Sequence, residues 1–124
     1  MQNQSTDLLE LAARFVNSTA SNIFLTGKAG TGKTTFLRDL ARKTHKRFVI
    51  VAPTGIAALN AQGVTIHSQF LFPLGSFVPD QDFNLPPGEH SSFYTQKTLA
   101  QKHPLNSIRK QVLRACDLLI IDEV

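Results

Sequence analysis

The chain has 124 residues, 42% hydrophobic and 18% charged, which is enough apolar content for one modest globular core and excludes a chain disordered throughout. Thirteen Lys and Arg against nine Asp and Glu give a net charge of +4, compatible with a polyanionic partner without demanding one. The single cysteine, Cys116, excludes an intrachain disulfide and argues against a structural zinc site, and no apolar run approaches the length of a membrane span.

Leu8, Leu9, Leu11, Ala12, Phe15 and Val16 recur at helical spacing after Ser5 or Thr6 as a cap, which predicts a first helix ending near Asn17 in an N-terminal segment of residues 1–20. Asp7 and Glu10 within that pattern are unlike a signal or transit peptide. The expected location is therefore the cytoplasm, on the nucleoid in a bacterium.

Asn22-Ile23-Phe24-Leu25-Thr26 reads as a short β-strand, and it leads into Gly27-Lys28-Ala29-Gly30-Thr31-Gly32-Lys33-Thr34, a complete P-loop. Gly27, Gly30 and Gly32 allow the backbone to wrap its N–H groups around phosphate oxygens, a close approach that a Cβ would hinder. Lys33 is positioned to reach the β- and γ-phosphates and the Thr34 hydroxyl to ligate Mg²⁺, with Thr35 completing the phosphate-binding run. Phe36, Leu37, Leu40 and Ala41 give the following helix its apolar stripe. A plain glycine turn between a strand and a helix would not need all of these in this order.

Residues 47–52 (Arg-Phe-Val-Ile-Val-Ala) form the continuous apolar run expected of a buried parallel strand, broken by Pro53-Thr54-Gly55 before a short helix over residues 56–61. From about residue 70 to 104 the periodicity dissolves. That stretch holds six of the ten aromatics, Phe70, Phe72, Phe77, Phe83, Phe93 and Tyr94, among several Pro and Gly. It reads as an insertion whose rings tuck against the core, with base stacking as the alternative. A helix over residues 105–116 is basic at Arg109, Lys110 and Arg114 and apolar at Ile108, Val112 and Leu113.

The chain closes with Leu118-Leu119-Ile120-Ile121-Asp122-Glu123-Val124. A buried parallel strand ending in acids delivers them to the sheet edge where α/β proteins bind ligands. Asp122 is then suited to hold Mg²⁺, directly or through water, opposite Thr34, and Glu123 to orient and deprotonate an attacking water. The fold class that follows is α/β, a P-loop NTPase with a parallel sheet flanked by helices, and the reaction is hydrolysis of a nucleoside triphosphate.

Three segments taken with this ending resemble a known family. The P-loop through Thr35, then Ala52-Pro53-Thr54-Gly55-Ile56-Ala57-Ala58-Leu59-Asn60, then Gly63-Val64-Thr65-Ile66-His67-Ser68 are similar to motifs I, Ia and Ib of the Pif-type, RecD-like superfamily 1B DNA helicases. The Ile-Asp-Glu-Val ending is similar to the start of their motif II. The resemblance implies a RecA-like motor domain that uses ATP and Mg²⁺ to move five-prime to three-prime along single-stranded DNA. Its partners would be single strands and duplex–single-strand junctions, in replication, repair, recombination or telomere maintenance.

The resemblance also implies that Pro53, Thr54, Gly55, Thr65 and His67 lie along the DNA backbone, and their hydroxyls, amides and imidazole suit phosphate contacts that need no particular base. A plain strand-ending turn at residues 53–55 and a satisfied buried histidine at position 67 are the structural alternatives. For the glutamine that reads adenine in such helicases, Gln2 and Gln4 are loose candidates.

The chain is expected to be the N-terminal piece of such a helicase. It would lack motif III, the second motor domain and that domain's arginine, and so be inactive alone and prone to aggregate beside the P-loop strand. A P-loop ATPase of another motor group and a nucleotide- or DNA-binding module without turnover are the competing readings.

Overall fold

The computed structural model describes residues 4–77 and 93–123. Helix α1 (Gln4–Ser18) half-buries Leu9, Ala12 and Val16 and leaves Leu8, Leu11 and Phe15 largely exposed. Two polar ties hold its end to the turn after the next helix: Thr44 Oγ1 donates to Asn17 Oδ1 at 2.6 Å, and Lys46 Nζ to the Thr19 carbonyl at 2.8 Å. Helix α2 (Lys33–Lys43) buries Leu40 and Ala41 and ends on Arg42 and Lys43, whose charges complement the negative end of its dipole.

Strand β1 (Phe48–Ala52) is followed by α3 (Gly55–Ala61), β2 (Val64–Thr65) and α4 (Ile66–Phe70). Thr54 caps α3 by accepting from the Ala57 amide, and Thr65 caps α4 by accepting from the Ser68 amide, each at 3.2 Å. Beyond these lie β3 (Ser76–Phe77), β4 (Phe93–Tyr94), α5 (Gln96–Lys102), α6 (Ser107–Ala115) and β5 (Leu118–Ile121). Among the described residues, no helix is long and apolar enough to cross a membrane.

The main sheet has the order β2-β1-β5 and is parallel throughout, with Val51 opposite Val64 on one side and opposite Ile121 on the other. This is the α/β arrangement with parallel strands that the sequence implies. Ile50 and Ile120 pack with Ala41 and Ala61, flanked by Leu37 and Leu118, while Ala52 packs with Ala57 and Ala58. Small residues dominate because α3 lies close over β1. At Gly63, which follows α3, a Cβ would run into the Ile50 carbonyl, so only glycine fits there.

Three expectations are corrected. Residues 22–26 form no strand: Ile23 and Phe24 are exposed, Phe24 by 78%, and a cavity of about 1470 Å³ opens between this segment and β5. A strand exists only where its amides and carbonyls have a neighbour to pair with, and among the described residues β5 pairs on one edge only, with β1.

The described part of residues 70–104 is also more ordered than its composition suggests. It contains α5, capped reciprocally by Thr95 and Thr98, and the parallel pair β3–β4. With Leu99 the one large apolar residue in α5, no periodicity announced that helix. Phe70 stacks on Phe72, with ring centroids 5.6 Å apart. Residues 78–92, including Phe83, and Val124 lie outside the described residues. The final helix is shorter than expected, because the Asn106 side chain accepts from the Arg109 amide at 2.8 Å and fixes the start of α6 at Ser107.

At the end of the sheet away from the P-loop, Arg47 and Asp117 form an ion pair, Nε to Oδ2 at 3.0 Å and Nη2 to Oδ1 at 3.2 Å. The Arg47 guanidinium, followed by its backbone amide, lowers the Asp117 carboxyl from its usual 3.8 to about 2. A depressed carboxyl stabilises the fold above its unfolded pKa and loses that contribution as pH falls through its folded pKa. Because the pair is exposed and contributes little, we expect Asp117→Asn to melt only slightly below the parent at pH 5 to 7 and the difference to close between pH 4 and pH 2, measured by thermal denaturation across that range. A difference independent of pH would contradict the ion pair.

Candidate nucleotide and nucleic-acid site

The P-loop turns on two glycines in the left-handed region, Gly30 at φ 77° and Gly32 at φ 84°, where a side chain would be strained. Gly32 is also the residue before α2, so the loop closes directly onto that helix's N-terminal amides. A Cβ at Gly27 would sit 3.0 Å from Thr31 Oγ1, a tight contact that Thr31 would have to relieve. Thr31 Oγ1 donates to the Lys28 carbonyl at 2.7 Å and braces the turn. Lys33 folds over the same loop, its ammonium donating to the carbonyls of Gly27 at 2.6 Å and Lys28 at 2.9 Å. Lys28, Ala29 and Thr31 are exposed along the rim, and Thr35 is exposed in the first turn of α2.

The acids arrive from β5. Asp122 is 8% exposed, and its amide extends the β1–β5 ladder by donating to the Val51 carbonyl at 2.9 Å. Its Oδ2 accepts from Thr34 Oγ1 at 3.1 Å, and its Oδ1 accepts from the Glu123 amide at 3.0 Å. Residues 88 apart in sequence thus meet at one point. Glu123 is exposed and holds φ 57°, the left-handed region that a side chain seldom occupies.

The Thr34 hydroxyl and the Asp122 carboxylate are the hard oxygen donors that would hold Mg²⁺ at this point. Among the described residues no three His, Cys, Asp or Glu gather into a metal cluster.

The expected DNA-side residues stand along the same edge. Pro53, Thr54 and Gly55 follow the C-terminal end of β1 and are exposed, and Thr65 ends β2, with Ala52 and Thr65 paired in register. Both hydroxyl oxygens are occupied as helix caps, which leaves each O–H available to donate outward. His67 is exposed, not buried, and its ring meets Phe72 edge-on at 6.3 Å. Gln2 lies outside the described residues, and Gln4 opens α1.

Sequence reading passed over two features. Gln69 in α4 is buried, and among the described residues its Nε2 has no hydrogen-bond partner, which no spacing rule would have flagged. Asp117 stands just before one apolar run as Arg47 stands just before the other, and that symmetry of position was the available signal for the ion pair.

A glycine-rich loop opening a helix, facing an acid from a parallel strand, defines a P-loop nucleotide-binding protein. The family is narrower: the chain belongs to the PIF1-like helicases, whose family model matches residues 1–124. It is 34% identical over 113 residues to the ATP-dependent DNA helicase Pif1 of a Psychrobacter species, covering 86% of this chain and 14% of that protein. Over 54 residues it is 48% identical to the helicase PIF1 of Emericella nidulans, 38% of this chain and 7% of the relative. A solved Pif1 structure concerned with unwinding of forked duplex DNA by two coordinating Pif1 helicases superposes with TM-score 0.72 at 33% identity, over all of this chain and 25% of that one. Bacteroides Pif1 in complex with ADP-AlF3 and single-stranded DNA matches with TM-score 0.67 at 34% identity, over 99% of this chain and 24% of that one. The chain thus spans a quarter or less of each of these relatives.

Proposed function

We propose that this chain carries the nucleotide pocket and part of the strand-binding edge of an ATP-dependent DNA helicase. The contact between Thr34 and Asp122 carries the reading, because it joins the phosphate-binding loop to the acid strand at the same sheet edge as Thr54 and Thr65. The P-loop amides and Lys33 would cradle the triphosphate, Lys33 exchanging its loop carbonyls for phosphate oxygens. Thr34 and Asp122 would hold Mg²⁺, which supplies charge neutralisation on the phosphates. Glu123 would take a proton from the water that attacks the γ-phosphorus, giving ADP and phosphate.

Pro53, Thr54, Gly55, Thr65 and His67 would receive the phosphates of a single strand, with five-prime-to-three-prime translocation and duplex junctions as the setting. The family and the complexes of its relatives with DNA and nucleotide support this assignment. Work in replication, repair, recombination or telomere maintenance, in the cytoplasm or on the nucleoid, follows from the same reading.

In the full-length protein, Lys33→Ala should lower ATP turnover on the order of a hundredfold or more by removing a cation from the γ-phosphoryl group. Glu123→Gln should still bind ATP while failing to hydrolyse it. Steady-state turnover and a nucleotide-binding titration check both. Near-normal hydrolysis by Lys33→Ala, or loss of ATP binding by Glu123→Gln, would refute the assigned roles.

For the strand edge, Thr54→Ala and His67→Ala should weaken binding of a single-stranded oligonucleotide and leave ATP affinity without DNA nearly unchanged. Parent binding should fall as salt rises, since phosphate contacts release counterions. Variants that match the parent at both low and moderate salt would remove these residues from the interface.

A further inference from the structure

Catalysis at this edge depends on where β5 stops. β1 reads Phe-Val-Ile-Val-Ala and β5 reads Leu-Leu-Ile-Ile, so neither alternates between apolar and polar. In most strands the hydrophobic pattern selects the register; here sliding β5 by one residue exchanges one aliphatic for another. The cost at Asp122 is much larger. A one-residue slip would turn its carboxylate to the opposite face, and a two-residue slip would move it by ~6.6 Å along the strand. Either would break the contact with Thr34.

Something other than pattern must therefore pick the register, and the Arg47–Asp117 pair lies where it can. It sits immediately before Phe48 and Leu118, the first residues paired between β1 and β5. The Arg47 carbonyl accepts from the amides of Asp117 at 2.8 Å and Leu118 at 3.1 Å. In return the Asp117 carboxylate accepts from the Arg47 amide at 3.1 Å, from Nε at 3.0 Å and from Nη2 at 3.2 Å. The backbone bonds could re-form with shifted partners, but the three carboxylate bonds exist in one register alone. Exposed ion pairs add little to overall stability. Their effect here is on the difference between registers, because each slipped arrangement loses all three at once.

We propose that Arg47 and Asp117 are positioning residues, which lock β5 on β1 in the one register that sets the Asp122 carboxylate beside the Thr34 hydroxyl. The proposal rests on reading Asp122 as a magnesium-holding acid. It assigns a function to an ion pair at the opposite end of β5 from Asp122.

The test compares Arg47→Met, Asp117→Asn, their combination and Asp122→Asn in the full-length protein. Three quantities are read: ADP affinity in EDTA, the Mg²⁺ concentration that half-maximally tightens ADP binding, and hydrogen exchange of the peptide covering residues 118–123. Each clamp variant should raise the Mg²⁺ requirement about threefold or more and speed exchange of that peptide. ADP affinity in EDTA, set by the P-loop, should stay within about twofold, and the double variant should be no worse than the worse single one. If Asp122→Asn raises the Mg²⁺ requirement but the clamp variants do not, the clamp is overturned while the reading of Asp122 stands. A fall in EDTA affinity parallel to the Mg²⁺ effect would reduce the pair to general stability and also overturn it. An unchanged requirement in Asp122→Asn would remove both.

Discussion

The hydrogen bond from Thr34 to Asp122 is the contact on which the proposed function depends. It links the first turn of α2, which follows the P-loop, to the end of β5, and those elements are otherwise far apart in the chain. Everything on the acid side must deliver Asp122 to that point: the parallel ladder to β1, the Ile50–Ile120 packing beneath it, and the Val51 carbonyl that receives the Asp122 amide. On the phosphate side, the left-handed glycines at 30 and 32 turn the loop so that Lys33 and Thr34 start the helix facing the acid.

Because the sheet is parallel, β1, β2 and β5 all end on the same edge, and the residues that follow them become neighbours. Asp122 and the caps Thr54 and Thr65 therefore share that edge. The caps do two things: their oxygens start α3 and α4, and each hydroxyl retains an O–H that can donate. A nucleotide pocket and a strand-binding edge built on adjacent β-strands can influence each other through short, stiff elements with little intervening loop.

The P-loop, the β1 run and the acids after β5 were legible in the sequence because each combines a residue type with a spacing that few other structures require. The segment at residues 22–26 was not. Its composition suits a strand, but strand formation is decided by a pairing partner, which composition does not report. Helix α5 was missed because one leucine cannot make a periodicity, although its Thr95 cap was visible. The burial of Gln69 and the Arg47–Asp117 pair depend on contacts between distant segments. His67 was left open between a buried and an exposed state by the sequence, and the structure resolves it as exposed.

The central claim is that one sheet edge serves both nucleotide and single strand, so that occupancy of one affects the other. Steady-state ATP hydrolysis by the full-length protein, with and without a single-stranded oligonucleotide, tests it most directly. The account predicts that the oligonucleotide raises turnover severalfold, with the stimulation fading as salt weakens phosphate contacts. Hydrolysis that proceeds at the same rate at every oligonucleotide concentration, under conditions where the strand is bound, would contradict it.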